Sequence, residues 1–344
     1  MNPLISSIML SNLALGAIIT ASSFHWFLAW IGLELNTLAI LPVLAKQHHP
    51  RATEAATKYF IIQATASSII LFSSMYNAWH TGTWDITQLS TPPTTVTLTI
   101  ALTMKLGLAP MHFWLPEVMQ GVTLSSALII TTWQKLPPMT LLYLTAPNLP
   151  TSVLLVLAIT STLIGGWGGL NQTQMRKIMA YSSIAHLGWM IAVISLSQKL
   201  LLFTLSIYVL MTSSMFLILI SSSSKTSKDL GQLWTTSPTM TSISLVTLVS
   251  LAGLPPLIGF LPKWLILKEL TTNNLTPMAA ALALSSLLSL MFYMRLTYTT
   301  TLTISPNTAS SMMKWRFKLM KPLNTTTMIS TILTMIPILP LFSP

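Results

Sequence analysis

A segment rich in glycine and proline occurs twice in this chain, and it constrains the fold more than any other feature. The first copy, GLAPMHFWLPE, covers residues 107–117, and the second, GLPPLIGFLPK, covers residues 253–263. Both lie inside long apolar runs, where glycine and proline interrupt the backbone hydrogen bonding of a helix. Interrupted membrane helices at corresponding places in two halves of a chain indicate an ion pathway.

The composition indicates a membrane protein. Of 344 residues, 52% are hydrophobic and only 7% are charged, whereas soluble domains carry about 25% charged residues. Repeated apolar runs of about 20 residues predict an all-α polytopic membrane protein. The N-terminus has neither a basic region nor a small-residue cleavage site, so we expect no removable signal peptide.

The apolar runs predict eleven transmembrane helices. These spans cover residues 3–23, 25–45, 55–80, 93–121, 124–146, 149–171, 175–196, 199–222, 239–267, 276–303 and 324–343. The fourth and ninth spans carry the interrupted motif and enter the membrane from opposite sides, which predicts inverted five-helix repeats. We therefore expect a first repeat at 1–146, a second at 147–303, and a basic loop with a C-terminal helix at 304–344.

The formal net charge of +11 comes mainly from short loops after spans two, six, eight and ten. This bias predicts that these loops and the N-terminus face the matrix or cytoplasm. The most basic loop, at about 303–323, would contact a partner or anionic phospholipid such as cardiolipin, or would simply be solvated. Basic residues in such short loops do not suggest nucleic-acid binding.

Cysteine is absent from the chain. The chain can therefore form no disulfide and hold no cysteine-ligated iron–sulfur cluster. We expect no cofactor and no metal in this chain, and any such cluster must belong to another subunit.

Four ionisable residues fall within the predicted spans, where an unpaired charge costs roughly 3 kcal/mol. Glu34 lies in span two, Lys105 precedes the first interruption, Lys135 lies in span five, and Lys263 follows the second interruption. Burial away from water changes the proton affinity of such groups, and so do nearby charges. A change of protonation at one site can therefore change the proton affinity of the next. These four residues predict a row of buried polar groups across the helix bundle.

Other interpretations of these residues remain open. Glu34 and Lys105 could be structural buried charges, and Lys135 and Lys263 could reach the head groups if the span boundaries shift by a turn. His112 and His186 are candidate proton relays, although a neutral histidine that satisfies backbone groups is about equally consistent with each position. Glu117 is expected near the surface.

The glycines around Trp167 superficially resemble a phosphate-binding loop, but no Lys-Ser or Lys-Thr pair follows them. Close helix packing explains these four residues better. They are Gly165, Gly166, Gly168 and Gly169.

Four longer motifs resemble the antiporter-like membrane subunits of respiratory complex I, especially the animal mitochondrial members, over essentially the whole chain. These motifs are WIGLELN (30–36), KLGLAPMHFWLPE (105–117), GLNQTQMRKIMAYSS (169–183) and GLPPLIGFLPKW (253–264). The sequence departs from bacterial members, which carry three further N-terminal helices.

The resemblance implies a proton-translocating subunit of NADH:ubiquinone reductase in the inner mitochondrial membrane, without a complete redox site of its own. FMN, iron–sulfur clusters and ubiquinone would be bound by partner subunits of the complex. By motif position, Glu34 and Lys105 would form the input pair, Lys135 would relay between the halves, and Lys263 would be the terminal proton donor or acceptor.

Two alternatives remain. A free-standing cation/proton antiporter subunit would share the interrupted helices and the buried lysines. A purely structural membrane subunit would use its buried charges only to specify helix packing.

Overall fold

The computed structural model describes residues 3–46, 49–194, 196–255 and 257–302. The basic loop and the eleventh span predicted at 304–344 lie outside the described residues, as does Pro256 of the second motif. The described residues form helices, two 3-10 turns and two isolated β-bridges. This confirms the all-α class, while the number of spans stays a prediction.

Fourteen α-helices follow one another in the described part of the chain. They are α1 (Pro3–Ser22), α2 (Trp26–Leu44), α3 (Pro50–Thr81), α4 (Pro92–Leu106), α5 (Trp114–Gly121), α6 (Leu124–Thr131), α7 (Leu136–Thr145), α8 (Thr151–Gly169), α9 (Met175–Ile194), α10 (Gln198–Ser222), α11 (Ser227–Thr236), α12 (Pro238–Ala252), α13 (Phe260–Thr272) and α14 (Thr276–Leu302).

Seven of the described helices are long and apolar enough to cross a membrane individually: α1, α2, α3, α8, α9, α10 and α14. The predicted fourth span instead consists of α4 and α5, and the ninth of α12 and α13. A 15-residue helix such as α4 or α12 rises only about 22 Å, less than the hydrocarbon thickness of about 30 Å. Neither half of an interrupted span is therefore long enough to cross the bilayer alone.

The predicted fifth span, 124–146, is not a continuous helix. The structure divides it into α6, a 3-10 turn at Trp133–Lys135, and α7. Pro137 and Pro138 stand in the first turn of α7 and lack the N–H groups that would continue α6 through this point. As a result, Lys135 lies on a turn between two short helices.

The short helix α11 was not predicted, because its ten residues are too few and too polar for a membrane span. Leu230 and Leu233 are buried on its apolar face, and α11 packs against α12 and α14. Thr226 and Asp229 form a capping box at its N-terminus. Burial acts to raise the pKa of Asp229, but hydrogen bonds from the backbone of Thr226 and Lys225 outweigh it and hold this pKa below its ordinary value.

The chain divides into two compact units. The first contains the chain up to Ser161 together with Leu187–Gln198, and the second contains Thr162–His186 together with the described residues from Lys199 onward. The predicted inverted relation between residues 1–146 and 147–303 stays a prediction.

Close helix packing at the four glycines of α8 is confirmed within the second unit. A Cβ atom at Gly165 would lie 2.7 Å from the backbone nitrogen of Ala185 on α9, and one at Gly166 would lie 2.6 Å from Cβ of Leu288 on α14. A Cβ atom at Gly168 would clash with the ring of Tyr181, and one at Gly169 would lie 2.7 Å from the ring of Phe292. Small residues therefore let α9 and α14 approach α8.

Candidate functional site

The two interruptions begin with a glycine in the same backbone conformation. Gly107 ends α4 with φ 78° and ψ 41°, and Gly253 ends α12 with φ 80° and ψ 42°. Their N–H groups donate to carbonyls of the preceding turn, from Gly107 to Thr103 at 3.0 Å and from Gly253 to Ser250 at 3.0 Å. This left-handed conformation favours glycine over residues with a Cβ atom. The repeated motif thus predicted both breaks correctly.

A side chain from the second half-helix bridges each break. In the first unit, the indole Nε1 of Trp114 donates to the carbonyl of Met104 at 3.2 Å. In the second unit, Nζ of Lys263 donates to the carbonyl of Ala252 at 2.8 Å. The tryptophan donor keeps its hydrogen, whereas the lysine donor carries a removable proton. The two breaks share the conformation of their first glycine but differ in this chemistry.

Glu34 and Lys105 belong to the first unit. Glu34 is half-buried on α2, and its Oε2 accepts a hydrogen bond from Thr37 Oγ1 at 3.2 Å. Its charge acts on both Lys105 and Tyr59, although no direct ion pair joins Glu34 to Lys105 in the described structure. The carboxylate and the ammonium therefore interact electrostatically across a gap.

The Lys105 side chain is only 5% exposed, and its Nζ has no hydrogen-bond partner among the described residues. The backbone carbonyl of Lys105 accepts a hydrogen bond from Gln63 Nε2 at 3.3 Å. Gln63 is itself buried on α3. Since burial weakens dielectric screening, the charge of Glu34 acts on Lys105 without a direct contact.

Lys135 is 3% exposed within the first unit, so its side chain is enclosed by the protein. The residue before it, Gln134, accepts a hydrogen bond from the Tyr59 hydroxyl at 3.3 Å. Gln134 Nε2 donates to Asn36 Oδ1 at 3.2 Å. The turn that carries Lys135 is thus joined to α2 and α3, the helices of Glu34 and Tyr59.

Both candidate histidines are oriented by backbone carbonyls. His112 lies in the first break with 3% exposure, and its Nδ1 contacts the carbonyl of Pro110 at 3.3 Å. His186, in the second unit, contacts the carbonyl of Ser182 through Nδ1 at 2.7 Å. Because a carbonyl only accepts, Nδ1 is the donor in each ring, which leaves Nε2 as the proton-exchanging atom under the relay interpretation. This geometry suits both the relay and the structural interpretation.

Glu117 lies at an exposed end of α5 and forms an ion pair with Lys58 of α3 at 2.8 Å. Lys58 also pairs with Glu54 at 2.8 Å. All three side chains are exposed, so this cluster stands apart from the buried groups.

Sequence reasoning missed four polar residues beside the predicted site: Asn36, Tyr59, Gln63 and Gln134. A glutamine within the apolar run around residues 60–72 was a usable signal, since amides are rarely buried without partners. The contacts of Asn36 and Gln134, residues 98 positions apart, could not be read from the sequence.

The predicted residues fall into two groups. Glu34, Lys105, His112 and Lys135 belong to the first unit, and His186 and Lys263 belong to the second. Among the described residues, no group of three or more histidine, cysteine, aspartate or glutamate side chains could hold a metal ion.

Residues 23–289 match the family described as NADH:quinone oxidoreductase/Mrp antiporter, TM. Residues 290–343 match the family described as NADH dehydrogenase subunit 2 C-terminus. The chain is 57% identical to NADH-ubiquinone oxidoreductase chain 2 of Xenopus laevis, over 94% of this chain and 93% of the relative. It is 54% identical to the protein of the same name from Gallus gallus, over 99% of both chains.

Two solved structures resemble the fold. A chain of respiratory complex I from Thermus thermophilus with bound aureothin has a TM-score of 0.85 and 26% identity, over 99% of this chain and 80% of that one. A chain of the Mrp complex from Dietzia sp. has a TM-score of 0.80 at 18% identity, over 87% of this chain and 61% of that one. The second likeness concerns the fold alone.

Proposed function

The chain belongs to the family of NADH:quinone oxidoreductase and Mrp antiporter membrane subunits, and we propose that its buried lysines carry protons across the membrane. It is a core membrane-arm subunit of respiratory complex I, part of an NADH:ubiquinone reductase. Electron transfer from NADH to ubiquinone takes place in other subunits and drives proton translocation here. The near-complete match to chain 2 relatives supports this assignment.

The observation that supports the proton pathway is that Glu34, Lys105 and Lys135 belong to one unit, where both lysines are buried among other polar side chains. Glu34 and Lys105 form the input pair. A change in the charge of Glu34 changes the electrostatic energy of a proton on Lys105, because their interaction is poorly screened. Lys135 receives the next proton and relays it between the two halves of the chain.

Lys263 is the terminal donor or acceptor of this pathway. Its Nζ lies against the carbonyl that ends α12, where the negative end of a half-helix dipole favours a cation. A proton leaving Lys263 would weaken that contact, so proton release and the local structure of the break are linked. His112 and His186 serve as further relays through Nε2.

The location, orientation and partners of the chain follow from the same proposal. The chain is a multi-pass protein of the inner mitochondrial membrane, with the N-terminus and the basic loops on the matrix side. FMN, iron–sulfur clusters and ubiquinone are held by partner subunits, and other membrane-arm and accessory subunits pack against this chain. Anionic phospholipid such as cardiolipin binds the basic loop at about 303–323.

The test replaces Lys105, Lys135 or Lys263 with methionine in the assembled complex, reconstituted into sealed vesicles. We expect each substitution to lower the number of protons translocated per NADH oxidised, because methionine keeps most of the volume but holds no proton. The matched control is Lys58→Met, since Lys58 is an exposed, ion-paired lysine outside the buried group. Full proton translocation by all three variants in intact complexes would refute the proposed proton pathway.

The fold shared with the Mrp complex supports one other candidate function, that of a free-standing cation/proton antiporter subunit. Purification distinguishes the two. Co-migration with flavin and iron–sulfur subunits supports the complex I assignment, and an isolated chain that exchanges cations for protons supports the antiporter.

A further inference from the structure

The 3-10 turn before α7 is tied to two other helices by a single amide side chain. Gln134 accepts a hydrogen bond from the Tyr59 hydroxyl at 3.3 Å. Its Nε2 donates to Asn36 Oδ1 at 3.2 Å and to the Asn36 carbonyl at 3.4 Å. The carbonyl oxygen and the amino group of Gln134 are therefore both engaged.

The partners of Gln134 are rigid. Tyr59 is 1% exposed and Asn36 is 2% exposed, and the ring of Tyr59 packs edge-on against Trp114 with centroids 5.7 Å apart. Buried hydrogen bonds of this kind hold their groups in one arrangement, since breaking one leaves a polar group unsatisfied. Gln134 is thus held from two sides.

The network joins segments that carry ionisable groups of the first unit. Asn36 is two residues from Glu34 on α2, and Gln134 directly precedes Lys135. Tyr59 is within reach of the charge of Glu34. Gln134 therefore joins α2, which carries the carboxylate, directly to the turn that carries Lys135.

We propose that Gln134 is a positioning residue for Lys135, held in place by Tyr59 and Asn36. The inference rests on the proposed proton pathway and adds the group that sets its geometry. Gln134 carries no proton itself, because an amide keeps its hydrogens at physiological pH. It acts by fixing the Lys135 ammonium at the separation from the Glu34 and Lys105 pair that proton transfer requires.

The test uses Gln134→Leu and Tyr59→Phe in the assembled complex, reconstituted into vesicles. Leucine removes every hydrogen bond of the Gln134 side chain, and phenylalanine removes only the bond from the Tyr59 hydroxyl. Since a misplacement of about 1 Å can cost about 100-fold in a positioned reaction, we expect Gln134→Leu to slow NADH oxidation coupled to proton translocation by about 10-fold or more. Tyr59→Phe should give a smaller loss in the same direction.

Two readouts separate positioning from simple stabilisation. The double variant should be no slower than Gln134→Leu alone, because both changes break one network. The pH profile of coupled turnover should also shift in both variants, since Lys135 would titrate in altered surroundings. A residue that only stabilises the fold would lower the amount of complex without moving the profile of the assembled fraction.

The matched control is Gln198→Leu. Gln198 donates from Nε2 to the carbonyl of Tyr143 at 3.4 Å at an exposed position, and the residue after it, Lys199, is exposed as well. The substitution therefore removes the same type of bond beside a lysine that is not buried. We expect unchanged coupled turnover and an unchanged pH profile in this variant.

The outcomes are distinguishable from failure of the proposed function. If Lys135→Met abolishes coupled turnover while assembled Gln134→Leu and Tyr59→Phe complexes work normally, the positioning role is wrong and the pathway stands. If Lys135→Met is itself fully active, the pathway role of Lys135 fails. If Gln134→Leu does not assemble, the coupled turnover and the pH profile of Tyr59→Phe alone test the positioning role of Gln134.

Discussion

Replacing Gly253 with alanine tests whether the second break positions Lys263. At φ 80°, a residue with a Cβ atom pays roughly 1–2 kcal/mol of backbone strain. The added Cβ would also lie 2.8 Å from Nζ and 3.0 Å from Cε of Lys263. The lysine must then move away from the carbonyl of Ala252, which it now contacts at 2.8 Å.

The matched substitution is Gly107→Ala, because Gly107 has nearly the same φ of 78°. There the added Cβ meets the indole of Trp114 at 3.2 Å, and no lysine is displaced. Both variants should share the strain term of roughly 1–2 kcal/mol. Only Gly253→Ala should also lose the lysine hydrogen bond, worth about 1–2 kcal/mol in a membrane helix.

The assay compares the thermal stability of the assembled complex with the protons translocated per NADH oxidised in vesicles. We expect both variants to lose stability, and Gly253→Ala to show in addition a clear drop in proton stoichiometry. Equal proton stoichiometry in the two variants, with both complexes assembled, would refute the reasoning that the break at Gly253 positions Lys263 for proton transfer.

Three further predictions concern packing, capping and the surface. Gly16→Leu should reduce the amount of assembled complex, because a Cβ at Gly16 would already lie 2.9 Å from the carbonyl of Gly32 on α2; native gel electrophoresis measures this. Asp229→Ala should destabilise α11 by about 1 kcal/mol, because the Asp229 carboxylate accepts two backbone N–H groups at 2.9 and 2.8 Å. The pKa of Asp229 is lowered in the folded state, so its stabilisation is present above the unfolded pKa of about 4 and is lost as the pH falls through the folded value. Hydrogen exchange at the α11 amides should therefore differ between this variant and the original chain at neutral pH and converge in acid. Lys58→Met should change thermal stability by less than about 1 kcal/mol, because exposed ion pairs contribute little; a larger loss would show that the cluster around Lys58 is structurally essential.

Much of the fold could be predicted because its determinants are local. Apolar runs correspond to α1, α2, α8, α9, α10 and α14 with small differences at their ends. The duplicated motif predicted the breaks at Gly107 and Gly253, since glycine and proline act on the backbone at their own positions. The sequence also singled out Glu34, Lys105, Lys135 and Lys263, because charged residues are rare within apolar runs of this length.

Other features depended on neighbours far away in the sequence. The break before α7 was missed because Pro137 and Pro138 could equally have stood within a kinked helix. The helix α11 was missed because its stability comes from a cap and from packing on α12 and α14 rather than from an apolar run.

By itself the sequence determined which residues can hold protons in this membrane protein and where two of its helices are interrupted. Those properties belong to single side chains and to short stretches of backbone. Only the tertiary structure decided that Gln134 links the Lys135 turn to Asn36 and Tyr59, and that Lys263 lies on the carbonyl of Ala252. Such contacts arise when helices pack, and the packing distances depend on side-chain shapes that no linear pattern encodes.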